Sequence, residues 1–215
     1  MREQKNTLLW VVATIMLAAL IWSAFGPNEF DVWVFEIVPG TLATAVFIVT
    51  FNRFRFSNLI YILLCGQFLL LATGAKYTYA EVPLFNWIRD TWDLSRNHFD
   101  RVGHFAQGFA PAILFRELLL RLSSMRKGAL LFFVVVSICL AFSALYEIIE
   151  VFVVLLFYPD SGPAWLGHQG DPYDAQWDMA LAAIGATVSL LLLGRIHDRS
   201  MERVIERRAR ISEGR

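Results

Sequence analysis

Six ionisable side chains form three closely spaced pairs, each at the edge of an apolar run or inside it. The pairs are Asp100 with His104, Glu147 with Glu150, and Asp174 with Asp178. A spacing of three or four residues places both members of a pair on one face of a helix. A charge in hydrocarbon costs roughly 2.5 to 3.5 kcal/mol on insertion scales. A sequence that keeps three such pairs is therefore expected to use them.

Carboxylates beside one imidazole are a ligand set for a divalent cation such as Zn, Mn, Mg or Fe. The candidate metal ligands are Asp100, His104, Glu147, Glu150, Asp174 and Asp178. Crowded carboxylates also share protons, which suits general acid–base chemistry. The candidate catalytic residues are Asp100, Arg101, His104, Glu147, Glu150 and Asp178. The pattern is less specific than a His-Glu-x-x-His or a phosphate-binding loop.

Purely structural roles are open for some of these residues. Asp171 followed by Pro172 is typical of a helix start, and Asp174 would then fall in the first turn. Arg101 could neutralise a neighbouring acid in a buried ion pair that fixes helix register. Glu117 lies near Arg116 at the opposite end of the same apolar run. With Arg116 and Arg121 it is expected to form a solvated or snorkelling pair.

The elements that must position these side chains are membrane helices. Of 215 residues, 57% are hydrophobic and 18% are charged, which is outside the range of soluble domains. Apolar runs cover about 8–25, 30–50, 59–75, 102–122, 129–157 and 177–196. Each approaches or exceeds the ~18 to 20 residues that cross the bilayer, where only helices satisfy their own backbone. The sequence predicts one all-α, six-span membrane domain over residues 1–215.

Basic residues predict the orientation of this domain. They concentrate near the amino end, in the turns at 51–58 and 121–128, and in a basic tail over 197–215. The positive-inside rule places these alternate connections and both termini in the cytoplasm. The three polar pairs then face the side of the membrane opposite the cytoplasm. The basic residues are topology signals, so no nucleic-acid partner is expected, and His197 in the tail is assigned no role.

Two outer connections, 76–87 and 158–165, are rich in aromatic and turn-forming residues. They are expected to be loops at the membrane interface, either functional or simply anchoring. Small residues also recur at Gly108 on the fourth run and at Ala182 and Gly185 on the sixth. Such faces let helix backbones approach closely, which would bring Asp100 and His104 near Asp178.

The order of the polar motifs resembles the YjdF-type family of bacterial inner-membrane proteins, which has no assigned biochemical function. The resemblance covers nearly the whole chain and rests on Tyr77-Thr-Tyr79-Ala, Asp100-Arg-x-Gly-His104-Phe, Glu147-x-x-Glu150 and Gln169-Gly-Asp171-x-x-Asp174-x-Gln176-x-Asp178-Met. Through Arg101-Val-Gly-His104-Phe105 the chain is more distantly similar to VanZ-like membrane proteins. The candidate substrate-binding residues are Arg101, Tyr77, Tyr79, Gln169, Asp171 and Gln176.

Three functions fit these observations. The first is a metal-dependent enzyme that acts on a lipid-linked or envelope substrate at the periplasmic face, with Arg101 contacting an anionic head group. The second is a small transporter coupled to protons or cations. The third is a non-catalytic envelope or resistance-associated protein that uses the polar cluster as buried glue. The sequence leaves the substrate and the oligomeric state open.

Overall fold

The computed structural model describes residues 7–157 and 169–213, with side chains described through residue 206. The described residues form seven α-helices and one short 3-10 turn, and they contain no strand. The helices are α1 (Thr7–Ala24), α2 (Phe30–Thr50), α3 (Asn58–Tyr77), α4 (Pro83–Thr91), α5 (Phe99–Leu122), α6 (Ala129–Phe157) and α7 (Asp174–Glu213), and the 3-10 turn is Tyr79–Glu81. The predicted all-α fold is confirmed.

Five of the described helices are long and apolar enough to cross a membrane: Thr7–Ala24, Phe30–Thr50, Asn58–Tyr77, Ala129–Phe157 and the Asp174–Glu206 part of α7. Helix α5 is not among them, because charged residues interrupt its apolar sequence. Its 24 residues would extend about 36 Å at the usual rise per residue. The six-span count therefore stays a prediction, with α5 as the sixth span.

Helix α5 lies at the centre of the bundle and packs against α7, α6 and α3. It approaches α7 so closely that a Cβ on Gly108 would overlap the backbone carbonyl oxygen of Ala182. A Cβ on Gly185 would similarly overlap the carbonyl oxygen of Phe105. Ala182 and Ala186 are fully buried in this seam. The close approach predicted from the small residues is therefore present, and it brings the polar ends of α5 and α7 together.

The connection after α3 differs from the predicted loop. Helix α4 begins at Pro83 and ends at Thr91, where a loop was expected over 76–87. Proline suits the first helical position because its fixed φ is helical and no hydrogen bond is lost there. Trp87 and Trp92 are exposed, and their rings contact each other with centroids 6.2 Å apart. The other predicted loop, 158–165, lies outside the described residues.

A largely buried polar cluster, which we call the inner cluster, lies at the ends of α5 and α7 that are far from Asp100 and Asp178. It comprises Arg116, Glu117, Arg121, Lys127, His197 and Asp198. Glu117 is 0% exposed, so the prediction of a solvated pair is wrong. Its carboxylate accepts hydrogen bonds from the backbone N–H of Ser57 at 3.1 Å and from Arg121 Nη1 at 2.5 Å. It thereby holds the start of α3 against α5.

His197 completes the inner cluster. Its Nε2 lies 2.9 Å from Glu117 Oε2, and its Nδ1 lies 2.7 Å from Arg116 Nη1. Because a guanidinium can only donate, Nδ1 is the acceptor and Nε2–H donates to the carboxylate. The ring is fully buried, although the sequence assigned it no role. Residues 197–213, within the predicted basic tail, continue α7 as helix.

Candidate functional site

At the end of the α5–α7 seam where both helices begin, carboxylates from three helices surround the imidazole of His104. Asp100 Oδ1 is 3.5 Å from His104 Nε2, as expected for two residues one turn apart on α5. Glu147 Oε1 on α6 is 3.7 Å from the same nitrogen. Asp178 Oδ2 on α7 is 3.9 Å from it. We call these four residues the outer cluster.

The outer cluster is shielded from solvent. His104 is 8% exposed and Asp178 is 2% exposed. Burial of this kind follows from the glycine-mediated contact of α5 with α7, because Asp178 is one turn from Ala182 in that seam. Asp178 is the fifth residue of α7, so it cannot be explained as the cap of that helix.

Several buried polar atoms in the outer cluster have no hydrogen-bond partner. They are His104 Nδ1, Glu147 Oε1 and Asp178 Oδ1. An unsatisfied buried polar atom costs about 1 to 3 kcal/mol, and more when the group is charged. Such an atom is explained by a catalytic role, by stored strain, or by a water or ion that satisfies it. The three orphaned atoms are therefore available to bind a ligand.

The spacing of the ligand atoms suits one metal ion. One atom each from Asp100, His104 and Asp178 lie within 4.8 Å of one another. Ligands bound at about 2.0 to 2.2 Å around a tetrahedral ion stand roughly 3.4 Å apart. The 3.5 and 3.9 Å separations from His104 Nε2 approach that value, so small side-chain shifts would complete the geometry. One imidazole with carboxylates is a donor set for Zn, Mn or Fe.

Arg96 is a site residue that the sequence analysis missed. It is 4% exposed, and its Nη1 donates a hydrogen bond to Asp174 Oδ1. Its Nη2 lies 3.7 Å from Asp100 Oδ2. Burial opposes its charged form, but the Asp174 hydrogen bond and the surrounding acids raise the pKa of Arg96 above its usual value. Its Nε and Nη2 have no hydrogen-bond partner.

Arg101 lies beside Arg96 and pairs with the segment that leads into α7. Its Nη2 donates to Asp171 Oδ2 at 2.9 Å, and its Nε is buried without a hydrogen-bond partner. Asp171 Oδ1 also accepts the backbone N–H of Tyr173 at 3.0 Å, which supports the turn before the helix. The helix begins at Asp174 rather than at Pro172, so Asp171 supports the preceding turn and binds Arg101 instead of capping the helix. The two arginines present unused N–H groups beside the outer cluster.

Asn97 holds this arrangement together. Gln169 Nε2 donates to the Asn97 carbonyl at 3.0 Å, and Gln169 Oε1 accepts the Asn97 N–H at 2.9 Å. The Asn97 side chain donates to the Val82 carbonyl and accepts the N–H of Phe99. The approach to α7 is therefore fastened to the start of α5. The side-chain amide of Gln169, which was predicted to bind substrate, is engaged in these two hydrogen bonds to the Asn97 backbone.

A further acid, Glu36 on α2, lies near the outer cluster. Its carboxylate accepts a hydrogen bond from the Tyr146 hydroxyl at 2.8 Å. Glu150 and Tyr79 are among its electrostatic neighbours. The Tyr79 ring fits against Gly74 and Gly103, where an added Cβ would meet the ring. Two glycines thus make room for Tyr79 beside the acids.

Two predicted substrate-binding residues lie apart from the cluster. Gln176 is exposed, two residues along α7 from the buried face of Asp174 and Asp178. The Tyr77 ring contacts Trp22 at the end of α1, with centroids 6.0 Å apart. His98, at the start of α5, has basic neighbours rather than acidic ones. Burial and the nearby Arg101 lower the pKa of its imidazole.

The fold and the site define a polytopic helical membrane protein with a buried acidic site at one end of its central helix pair. The chain belongs to a family described as predicted membrane protein (DUF2238), whose model matches residues 8–199. It is 33% identical over 202 residues to the inner membrane protein YjdF of Escherichia coli (strain K12). That alignment covers 94% of this chain and 96% of the relative. No solved structure matches the chain.

The resemblance to the YjdF-type family is therefore confirmed. The more distant similarity to VanZ-like proteins stays a prediction. The relative's description names a membrane location without an activity. Any chemistry assigned to this chain must accordingly come from its own residues.

Proposed function

We propose that the outer cluster binds one divalent cation and that the protein is a metal-dependent enzyme acting on a lipid-linked or envelope substrate at the periplasmic face. The observation that carries this proposal is the convergence of three carboxylates on His104 with orphaned atoms among them. Asp100, His104 and Asp178 would hold the ion. A dication would offset the negative charge that these acids concentrate in a low-dielectric site.

A bound dication supplies Lewis acidity and activates water for hydrolysis or transfer. Glu147 is suited to act as general base, because its Oε1 faces His104 and has no hydrogen-bond partner. Arg96 and Arg101 would orient an anionic group through the N–H groups that their acidic partners leave unused. Glu150 and Glu36 would adjust the charge around the site from its far side.

The orientation of this site follows from the basic turns. Arg53 and Arg55 precede α3, and Arg126 and Lys127 precede α6, at the end of the bundle opposite the outer cluster. The positive-inside rule places that end in the cytoplasm, so the outer cluster faces the periplasm.

A transporter that connects the two polar clusters is less well supported. Between the clusters, α5 and α7 meet through Gly108, Ala112, Ala182 and Ala186, and the three alanines are 0% exposed. Among the described residues, the buried Ser189 hydroxyl of α7 lies between the clusters without a hydrogen-bond partner, so no continuous chain of hydrogen bonds joins Asp178 to Glu117. An enzyme confined to one face needs no such path.

Metal analysis of the purified protein tests the proposal. After loading with Zn²⁺ and removal of free ion, the wild type should retain about one ion per chain. His104→Ala should lose it, because the central imidazole ligand is gone. His98→Ala is the matched control, since His98 lies six residues away outside the outer cluster, and it should retain the ion. Equal metal content in all three proteins, or none in the wild type, would overturn the proposal.

A further inference from the structure

A large apolar chamber lies within the membrane-spanning part of the bundle, just inward of the outer cluster. It has a volume of about 780 Å³ and is bounded by α1, α2, α3, α5 and α6. It exists because α1 and α2 pack on α3 and make few contacts with α5 or α6. Tyr146 and Glu36 join α6 to α2 at its outer end. An aromatic group around Phe47 and Tyr61 closes its inner end.

The chamber lies close to the polar site along α5 and α6, although no residue of the outer cluster lines it. Gln107, which lines it, is three residues after His104 on α5, or about 4.5 Å along the helix. Phe142, another lining residue, is five residues before Glu147 on α6, or about 7.5 Å along that helix. A molecule that extends from the outer cluster toward the membrane centre would enter the chamber.

The walls favour a hydrocarbon occupant. Most lining side chains are aliphatic or aromatic, and Trp10, Leu17 and Ile48 are themselves largely exposed. The chamber is therefore open to lipid on the side of α1 and α2. Its wall also contains Gln67, whose Oε1 is buried without a hydrogen-bond partner. A hydrocarbon occupant has no donor for this oxygen, so Gln67 does not contribute to the choice of occupant.

We propose that this chamber holds the acyl chain of an anionic phospholipid whose head group reaches Arg96 and Arg101. At roughly 30 Å³ for a group the size of a water molecule, the chamber accommodates on the order of 25 methylene-sized groups. This capacity matches one or two acyl chains. The unused N–H groups of the two arginines supply the charge complementarity for a phosphate.

The inference deepens the proposed function, because it names a phospholipid as the substrate class of the outer cluster. It places the reacting end of the lipid at the polar site and its tail between the two helix groups. The tail would contribute uniform binding, while Arg96 and Arg101 would fix the head group relative to His104.

Native mass spectrometry of the protein extracted in mild detergent tests this proposal. The wild type should retain phosphatidylglycerol, supplied as the only anionic lipid during purification. Ala43→Trp should lose most of the retained lipid, because Ala43 lines the chamber and the indole would obstruct it. Ala45→Trp is the matched control: Ala45 is exposed on the same helix and does not line the chamber, so lipid should remain.

A second pair of variants guards against misfolding of the first. Ala13→Trp on α1 should also displace the lipid, whereas Ala18→Trp, outside the chamber, should not. Equal lipid retention in the chamber and control variants would overturn the proposal. Retention of a polyprenyl lipid instead of phosphatidylglycerol, or a lipid-free dimer that Ala43→Trp dissociates, would also overturn it.

The same samples separate this inference from the proposed function. Ala43→Trp should keep its bound Zn²⁺ while losing lipid, and His104→Ala should keep lipid in its chamber while losing Zn²⁺. If no variant binds metal but the chamber variants still lose lipid, only the proposed function fails. If metal binding behaves as expected but lipid retention is unaffected by Ala43→Trp, only the chamber proposal fails.

Discussion

The same two helices, α5 and α7, carry a buried polar cluster at each end, and the two clusters differ in how their charges are paired. In the inner cluster, the Glu117 carboxylate is bound by Arg121, His197 and the backbone of Ser57. In the outer cluster, three carboxylates face one imidazole at 3.5 to 3.9 Å, beyond ordinary hydrogen-bond distance.

This difference separates two uses of buried charge. A cluster in which each acid lies within 2.9 Å of a basic group fixes the packing of helices, because removing either partner leaves an uncompensated charge. An underpaired cluster destabilises the protein unless something else binds it. We therefore assign the inner cluster to structure and the outer cluster to function, and the following predictions test that division.

The largest expected effect is all-or-none labelling from opposite sides of the membrane. Thr91→Cys, in the outer connection, should react with an impermeant maleimide added to intact spheroplasts. Ser124→Cys, in the turn between α5 and α6, should react only after permeabilisation. Both positions are exposed, so access depends on sidedness. Labelling of both from outside would place the two clusters on the same side and remove the periplasmic assignment.

The next effect concerns stability without bound metal. Glu117→Gln should lower the free energy of unfolding by about 3 to 5 kcal/mol, because it removes the charge that Arg121 and His197 surround. Glu147→Gln should change it by less than about 0.5 kcal/mol or raise it, because it removes one of several repelling carboxylates. Thermal unfolding in detergent with chelator present measures both. Equal losses would contradict the division between the clusters.

A smaller effect tests the seam that positions both clusters. Gly108→Ala should cost about 1 to 3 kcal/mol, because the new Cβ would push against the backbone of Ala182. Gly66→Ala, also inside a helix, has nothing within 4 Å of the added atom. It should be neutral or slightly stabilising. Unfolding midpoints that shift equally for both variants would show that the seam does not depend on close approach.

The sequence was sufficient for the features that depend on local periodicity. Apolar runs of membrane-spanning length predicted the helical fold, and the spacing of Asp100 from His104 predicted their shared face. The small residues Gly108 and Gly185 predicted the contact between α5 and α7. Each inference needed only a helix and its neighbours in sequence.

The missed features depend on contacts between distant parts of the chain. Arg96 binds Asp174 across 78 positions, in a segment without helical periodicity that could have placed its side chain. Glu117 meets His197 across 80 positions. The contact between Glu117 and His197 forms only because α7 continues beyond the predicted span. Charge and composition alone could not distinguish these partners from solvated residues.

X-ray absorption at the zinc edge of the Zn²⁺-loaded protein tests the central claim most directly. The account predicts a first shell of oxygen and nitrogen at about 2.0 to 2.2 Å, with outer-shell scattering from one imidazole that His104→Ala abolishes and His98→Ala leaves unchanged. A zinc shell without imidazole scattering, or an imidazole signal that survives in His104→Ala, would contradict the assignment of the outer cluster as a metal site.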